Sequence, residues 1–170
     1  MPKPSPTTYP EYFKQYVDQV PEAELAAGFN NQLPIIKDFL NTITAERSTF
    51  AYAPGKWTLK EVLQHMIDTE RIFNYRALCI ARGETASLPG FDENTYNANS
   101  NANSRNWQSL VDEFLSVRSS TEKLFNSFTN EALDASGISN NKAVTVISLG
   151  FITLGHFYHH KKVMEERYLR

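Results

Sequence analysis

Residues 57–83 read WTLKEVLQHMIDTERIFNYRALCIARG and carry both ends of one long helix. Thr58 can accept a hydrogen bond from the free N–H groups of a first helical turn. Glu61 stands three positions later, as the reciprocal partner in a capping box. Trp57 and Val62 occupy the apolar staple positions around that start. Apolar residues then recur every three or four positions, and Gly83 supplies a stop. The stretch predicts one helix from about Leu59 to Ala81.

Working outward, three more segments carry the same period, and the strand signal is weak. After Pro21, residues Leu25, Phe29, Leu33, Ile36, Leu40 and Ile43 keep helical spacing, with Pro34 placed to kink or split the run. A third helix is expected from about Asn103 or Ser104. Its seam is Trp107, Leu110, Phe114, Val117, Thr121, Leu124 and Phe128. The fourth is expected from near Lys142 almost to the end. Its first half, AVTVISLGFITLG, is apolar nearly all round. The β-branched residues also allow a strand there, but the length and the charged continuation KKVMEERY favour a helix. A helix apolar on all sides needs cover, for which a second subunit is one source.

These segments make an all-α chain, a four-helix bundle in a single domain over residues 1–170. Residues 1–20 form a proline-containing N-terminal segment, and residues 84–103 form a long loop between the second and third helices. Within that loop LPGFDENTY carries apolar anchors able to fold back over the bundle, and NANSNANS reads as flexible. Short SGISNN, residues 136–141, predicts that the third and fourth helices pack antiparallel.

Composition narrows the function. The net charge is −2, with both signs spread along the chain. No basic stripe is present to follow a phosphate backbone, so no nucleic acid is expected as a partner. The longest apolar run is shorter than the roughly 20 residues of a membrane span, so no membrane is expected either. Cys79 is the sole cysteine and can form no disulfide within the chain. The polar, proline-rich start MPKPSPTTYP differs from a signal peptide, and a cytoplasmic protein is expected.

Three of the four histidines fall in GHFYHHKKVMEERY, residues 155–168, and the fourth is His65. His156 and His160 are four apart, so on a helix they share a face with Cβ atoms about 5–6 Å apart. Imidazole nitrogens on such a pair can converge on one metal ion. A third ligand must come from another helix, and His65 is available if the second and fourth helices are neighbours. The competing reading is an HxxxH pair on a solvated face and a hydrogen-bonded histidine at 65.

The blocks PGKWTLKEVLQHMIDTERIFNYRALCIARGE, LPGFDENTY and GHFYHHKKVMEERY, in that order and spacing, closely resemble the DinB/YfiT-like superfamily of four-helix-bundle metalloenzymes. The resemblance covers nearly the whole chain. It implies an up-down-down-up bundle, frequent homodimers, and a divalent metal held by His65, His156 and His160. His159 fits the GHxxHH pattern but lies outside the implied ligand triad. Members include thiol-dependent transferases and isomerases.

Three neutral histidines leave one position open on a four-coordinate ion, as in catalytic rather than closed structural sites. The uncompensated charge lowers the pKa of a bound water or thiol. Two enzymes are therefore expected as alternatives, a metal-dependent hydrolase and a thiol-dependent S-transferase. Either would act on a small-molecule substrate, the second with a low-molecular-weight thiol. Imidazole suits Zn²⁺ and Ni²⁺ alike. A non-catalytic metal- or ligand-binding bundle stands beside both. Asp68, three residues after His65, is a candidate to orient that ring or act as a base, against the reading of a helix-surface carboxylate. Arg71 and Arg76 are candidates to bind an anionic substrate, against structural ion pairs. Glu70 is expected to pair with Asn74 or with a basic residue of another helix.

Overall fold

The computed structural model describes residues 1–170. Helix α3 spans Leu59–Ala81, as its caps predict. Both halves of the capping box form: the Glu61 N–H donates to Thr58 Oγ1 at 3.2 Å, and the Thr58 N–H donates to Glu61 Oε2 at 2.7 Å. Gly83 follows with φ of +86°, a conformation that a residue without Cβ adopts freely. Before α3 come the short α1, Lys14–Val17, and the long α2, Leu25–Asn41. After it come α4 (Glu93–Asn99), α5 (Trp107–Asn126) and α6 (Asn130–Asp134). A hairpin of β1 (Ser136–Ser139) and β2 (Lys142–Thr145) then leads into α7 (Val146–Arg167). No helix is long and apolar enough to cross a membrane.

Helices α2, α3, α5 and α7 form the bundle. Each of α2 and α3 packs against both α5 and α7, so α2 and α3 occupy opposite corners. Side-chain pairs give the directions. Gln64 with Arg105, Glu70 with Arg118 and Asn74 with Thr121 advance together, so α3 and α5 are parallel. Leu25 near Gly150, Gln32 on the Leu154 carbonyl and Phe39 under Lys161 make α2 and α7 parallel. Phe29 meets Phe125 while Gln32 meets Arg118, so α2 opposes α5. The order is up-down-down-up. Consecutive helices that run the same way need a connection as long as the bundle. Residues 82–106 make that return, which explains the length of the loop.

Several expected boundaries move. Helix α5 begins at Trp107, because the Asn106 side chain accepts from the N–H groups of Gln108 and Ser109. NANSNANS is not a plain spacer: it contributes to α4 and a 3₁₀ turn, and it buries Asn97 and Ala102. Helix α7 begins at Val146, because the β-branched run before it pairs with residues 136–139. Asn140 and Asn141 turn that hairpin with φ of +48° and +59°, the left-handed pair that a two-residue turn requires. Helices α5 and α7 are antiparallel as expected, but they stand at opposite corners, joined through α6 and the hairpin. Helix α2 passes through Pro34 without splitting.

Every residue of α7 from Val146 to Phe157 is buried within the one chain. Part of the cover comes from the N-terminal segment, whose α1 lies across α7. A Cβ at Gly155 would overlap the backbone carbonyl of Tyr16, so glycine permits this approach. The segment supplies cover for which a second subunit was one expected source.

A polar layer divides the core. On one side lie Phe29, Phe73, Phe125 and Phe151; on the other lie Ile36, Leu63, Leu110 and Met164. Between them Arg118 grips Glu70 with both arms, Nε to Oε1 at 2.9 Å and Nη2 to Oε2 at 2.7 Å. Thr121 donates to Glu70 Oε1 at 2.6 Å, and Arg118 also donates to Gln32 Oε1. Gln32 in turn donates to the Leu154 carbonyl at 2.9 Å, which links all four helices.

Two outcomes follow from this packing. Glu70→Ala leaves a buried guanidinium unpaired and is expected to cost about 3–5 kcal/mol in urea unfolding, with part recovered in the double variant Glu70→Leu, Arg118→Met. Gly155→Ala is expected to lift the N-terminal segment from α7. It should lower the thermal midpoint and open residues 10–20 to limited proteolysis.

Candidate metal centre

His65 lies on the second turn of α3, and His156 and His160 lie on successive turns of the antiparallel neighbour α7. The Nε2 atoms of His65 and His156 are 3.2 Å apart, and those of His160 and His156 are 3.0 Å apart. The three donor nitrogens lie within 4.8 Å of one another, with no carboxylate or thiol in the group. Two nitrogens bound to one ion at about 2.0–2.1 Å lie roughly 2.9 Å apart at a right angle and roughly 3.3–3.4 Å apart at the tetrahedral angle. The His65–His156 and His156–His160 spacings fall in that range. Neutral imidazoles that turn lone pairs toward one point repel each other unless a proton or cation stands between them, so this donor set fits a divalent ion.

The rings are held in the neutral form that coordination requires. Burial is the main cause for each. His65 is pushed down to about 4, with the charge of Glu93 opposing the shift. His156 is held well below the usual 6.5 by burial, then by its histidine neighbours and the Arg118 cation. Burial and the other rings lower His160 in the same way. Thr69 Oγ1 lies 3.4 Å from His65 Nδ1, placed to accept its proton and leave the Nε2 lone pair facing the cluster.

Aromatic rings fix the histidines in place. Trp57 lies 5.1 Å from His65 between ring centroids, and the Tyr16 ring meets His156 edge-on at 5.5 Å. His159 stands outside the ligand group, edge-on to Tyr16 at 5.1 Å. All these rings line a partly open cavity of about 500 Å³, bordered by the N-terminal segment, the α4 region and the hairpin. Glu93, the first residue of α4, opens onto the same cavity.

Other sequence candidates fall elsewhere. Asp68 does not join the histidines. Its carboxylate accepts from Gln64 at 2.9 Å and lines a separate surface depression with Arg71 and Tyr96. Three residues along a helix turn a side chain about 60° away from its predecessor, enough here to put Asp68 past the cavity wall. Arg71 pairs with Glu113 at 2.6 Å. Glu70 takes the expected basic partner from another helix, Arg118. The Tyr168 hydroxyl donates to the Trp57 carbonyl at 2.8 Å, so it braces the start of α3. Arg76 does line the cavity.

The sequence reading missed Thr69, Tyr16 and Glu93. Thr69 was legible as the residue one turn after His65. Tyr16 and Glu93 carry no local signal, because segments with no helical period in common with the bundle bring them in.

Known proteins give the wider setting. The sequence profile of the DinB superfamily matches residues 11–164. Among solved structures, YfiT from Bacillus subtilis, described as a probable metal-dependent hydrolase with an unusual four-helix bundle topology, superposes with a TM-score of 0.72. The two chains are 16% identical, and the match covers 96% of this chain and 90% of YfiT. No curated protein matches the chain in sequence. Bundle order, residue blocks and profile agree: the chain belongs to the DinB superfamily.

Proposed function

We propose that the chain is a metal-dependent hydrolase of a small-molecule substrate, with His65, His156 and His160 as the protein ligands of one divalent ion, Zn²⁺ or Ni²⁺. The observation that carries this reading is the convergence of three neutral imidazoles, with Nε2 spacings of 3.0 and 3.2 Å, on the wall of a 500 Å³ cavity. Once bound, the ion supplies Lewis acidity and brings the pKa of a water ligand toward neutrality.

The remaining work falls to the chain's own residues. His156, buried against Phe73 and Tyr16, holds its ring where water does not compete for Nε2. Thr69, 3.4 Å from His65 Nδ1, is placed to favour the tautomer of His65 that presents Nε2. Glu93 is the carboxylate available in the cavity to accept a proton from water, the role for which Asp68 was the sequence candidate. The aromatic walls lower the local polarity around the donor nitrogens and so strengthen polar contacts there. Thiol-dependent S-transfer would use the same three imidazoles, with a low-molecular-weight thiol in place of water. The likeness to YfiT, described as a probable metal-dependent hydrolase, supports hydrolysis as the first reading.

Elemental analysis of the untagged chain should give one equivalent of metal, and His156→Ala should give none. Retention of a full equivalent by that variant would overturn the ligand set. Ester and amide substrates should turn over without added thiol; turnover only of alkyl or epoxide electrophiles with thiol present would assign S-transfer instead. The pH dependence follows from the lowered histidines. An unfolded histidine takes up its proton near 6.5, whereas folded His65 resists until about 4. The unfolded state therefore binds more protons in this window, and stability rises with pH across it. The chelated protein should show its full urea midpoint above about pH 6.5 and a falling one toward pH 4, and metal should be released only as the pH falls toward about 4, where His65 takes up its proton.

A further inference from the structure

Arg76 lies on the cavity-lining face of α3, in line with His65, Thr69 and Phe73. Its side chain is 6% exposed, yet no carboxylate pairs with it. One guanidinium nitrogen, Nη2, donates to the Pro89 carbonyl at 2.7 Å. A guanidinium has five N–H donors, so most of this fork faces the cavity without a protein partner. The cation sits between aromatic faces, 6.0 Å from the Phe73 centroid and 5.9 Å from that of Phe91. Burial alone lowers its pKa, with no neighbouring anion to offset the shift. The contrast with the other buried arginine is direct: Arg118 has Glu70, and both are satisfied.

The cavity's other charged side chains are Lys142 on β2 and Glu93 on α4. Two cations and one carboxylate leave an excess of one positive charge beside neutral histidines. A loop anchor alone would need no charge, because any single donor could hold the Pro89 carbonyl. A largely buried cation without a counter-charge costs free energy, which a ligand anion in the cavity would offset.

We infer that the cavity takes a small molecule with an anionic head, a carboxylate or phosphate, on an apolar body: the head pairs with the Arg76 fork, the body lies along Phe73 and Phe91, and the reacting end reaches the histidines. The inference rests on the reading of this cavity as the substrate site, but not on the metal. Eleven residues separate Arg76 from His65, which puts their Cα atoms about 16 Å apart along α3, so the molecule that touches both ends is extended. The planar fork matches two oxygens at once, which a neutral amide cannot offer.

Calorimetry on the full-length chain, zinc-loaded and chelated, tests this with 6-phenylhexanoate, its isosteric amide and 4-phenylbutyl phosphate. The chelated chain should prefer at least one of the two anions to the amide by about tenfold or more, and the preferred anion identifies the head group. Arg76→Gln should abolish that preference while it leaves amide affinity and zinc stoichiometry unchanged. An anion preference that survives Arg76→Gln, or that disappears in Lys142→Ala instead, would overturn the assignment. If Arg76→Gln does not fold, the wild-type chain still decides, since equal affinity for both anions and the amide in the chelated protein overturns it. A chain that holds no zinc yet selects anions through Arg76 would sink the metal reading and leave this one standing. Zinc binding without selection would do the reverse.

Discussion

The fold depends on one buried ion pair. Arg118 and Glu70 are removed from water near the middle of the bundle, where an unpaired charge would be costly. Their demand for partners recruits Thr121 and Gln32, and through Gln32 the Leu154 carbonyl. Apolar packing alone tolerates small slips of one helix along another; a bidentate pair with a fixed third partner does not. The pair therefore sets the register of α2, α3 and α5, and it ties α7 to them two residues before His156.

That register serves the histidines. Glu70 is five residues beyond His65 on α3, and Leu154 is two residues before His156 on α7, so the network and the donor group share the same two helices. A displacement of α3 by one turn, about 5.4 Å, would separate His65 from the α7 pair altogether. The same layer also acts electrically. Burial and the neighbouring histidines hold His156 neutral, and the Arg118 cation adds to them. The strongly buried charges are thus paired, and the exception is Arg76, which faces the cavity.

The N-terminal segment, α4 and the hairpin have a different task. A four-helix bundle by itself offers a narrow seam rather than a pocket. Here Tyr16 comes from one added piece, Glu93 from another and Lys142 from a third, and together they border about 500 Å³ beside the donor nitrogens. The long return from α3 to α5 is imposed by their parallel direction, and the chain uses it to carry Phe91 and Glu93 to the site. The hairpin likewise fixes the loop, through the Leu88 N–H to the Ile138 carbonyl and the Asn140 N–H to the Leu88 carbonyl, both at 2.9 Å.

By itself the sequence determined whatever depends on neighbours a few residues apart. The α3 limits follow from Thr58, Glu61 and Gly83; the shared face of His156 and His160 follows from their spacing; the all-α class follows from period. It did not determine the start of α7, because a β-branched run suits both strand and helix until a partner strand exists. Nor did it determine that Glu93, rather than Asp68, enters the cavity, or that Arg76 stays without an anion while Arg71 finds Glu113. Those outcomes depend on which surfaces meet across many tens of residues. Only the tertiary structure decides them, because burial, pairing and the loss of solvent are properties of the packed whole.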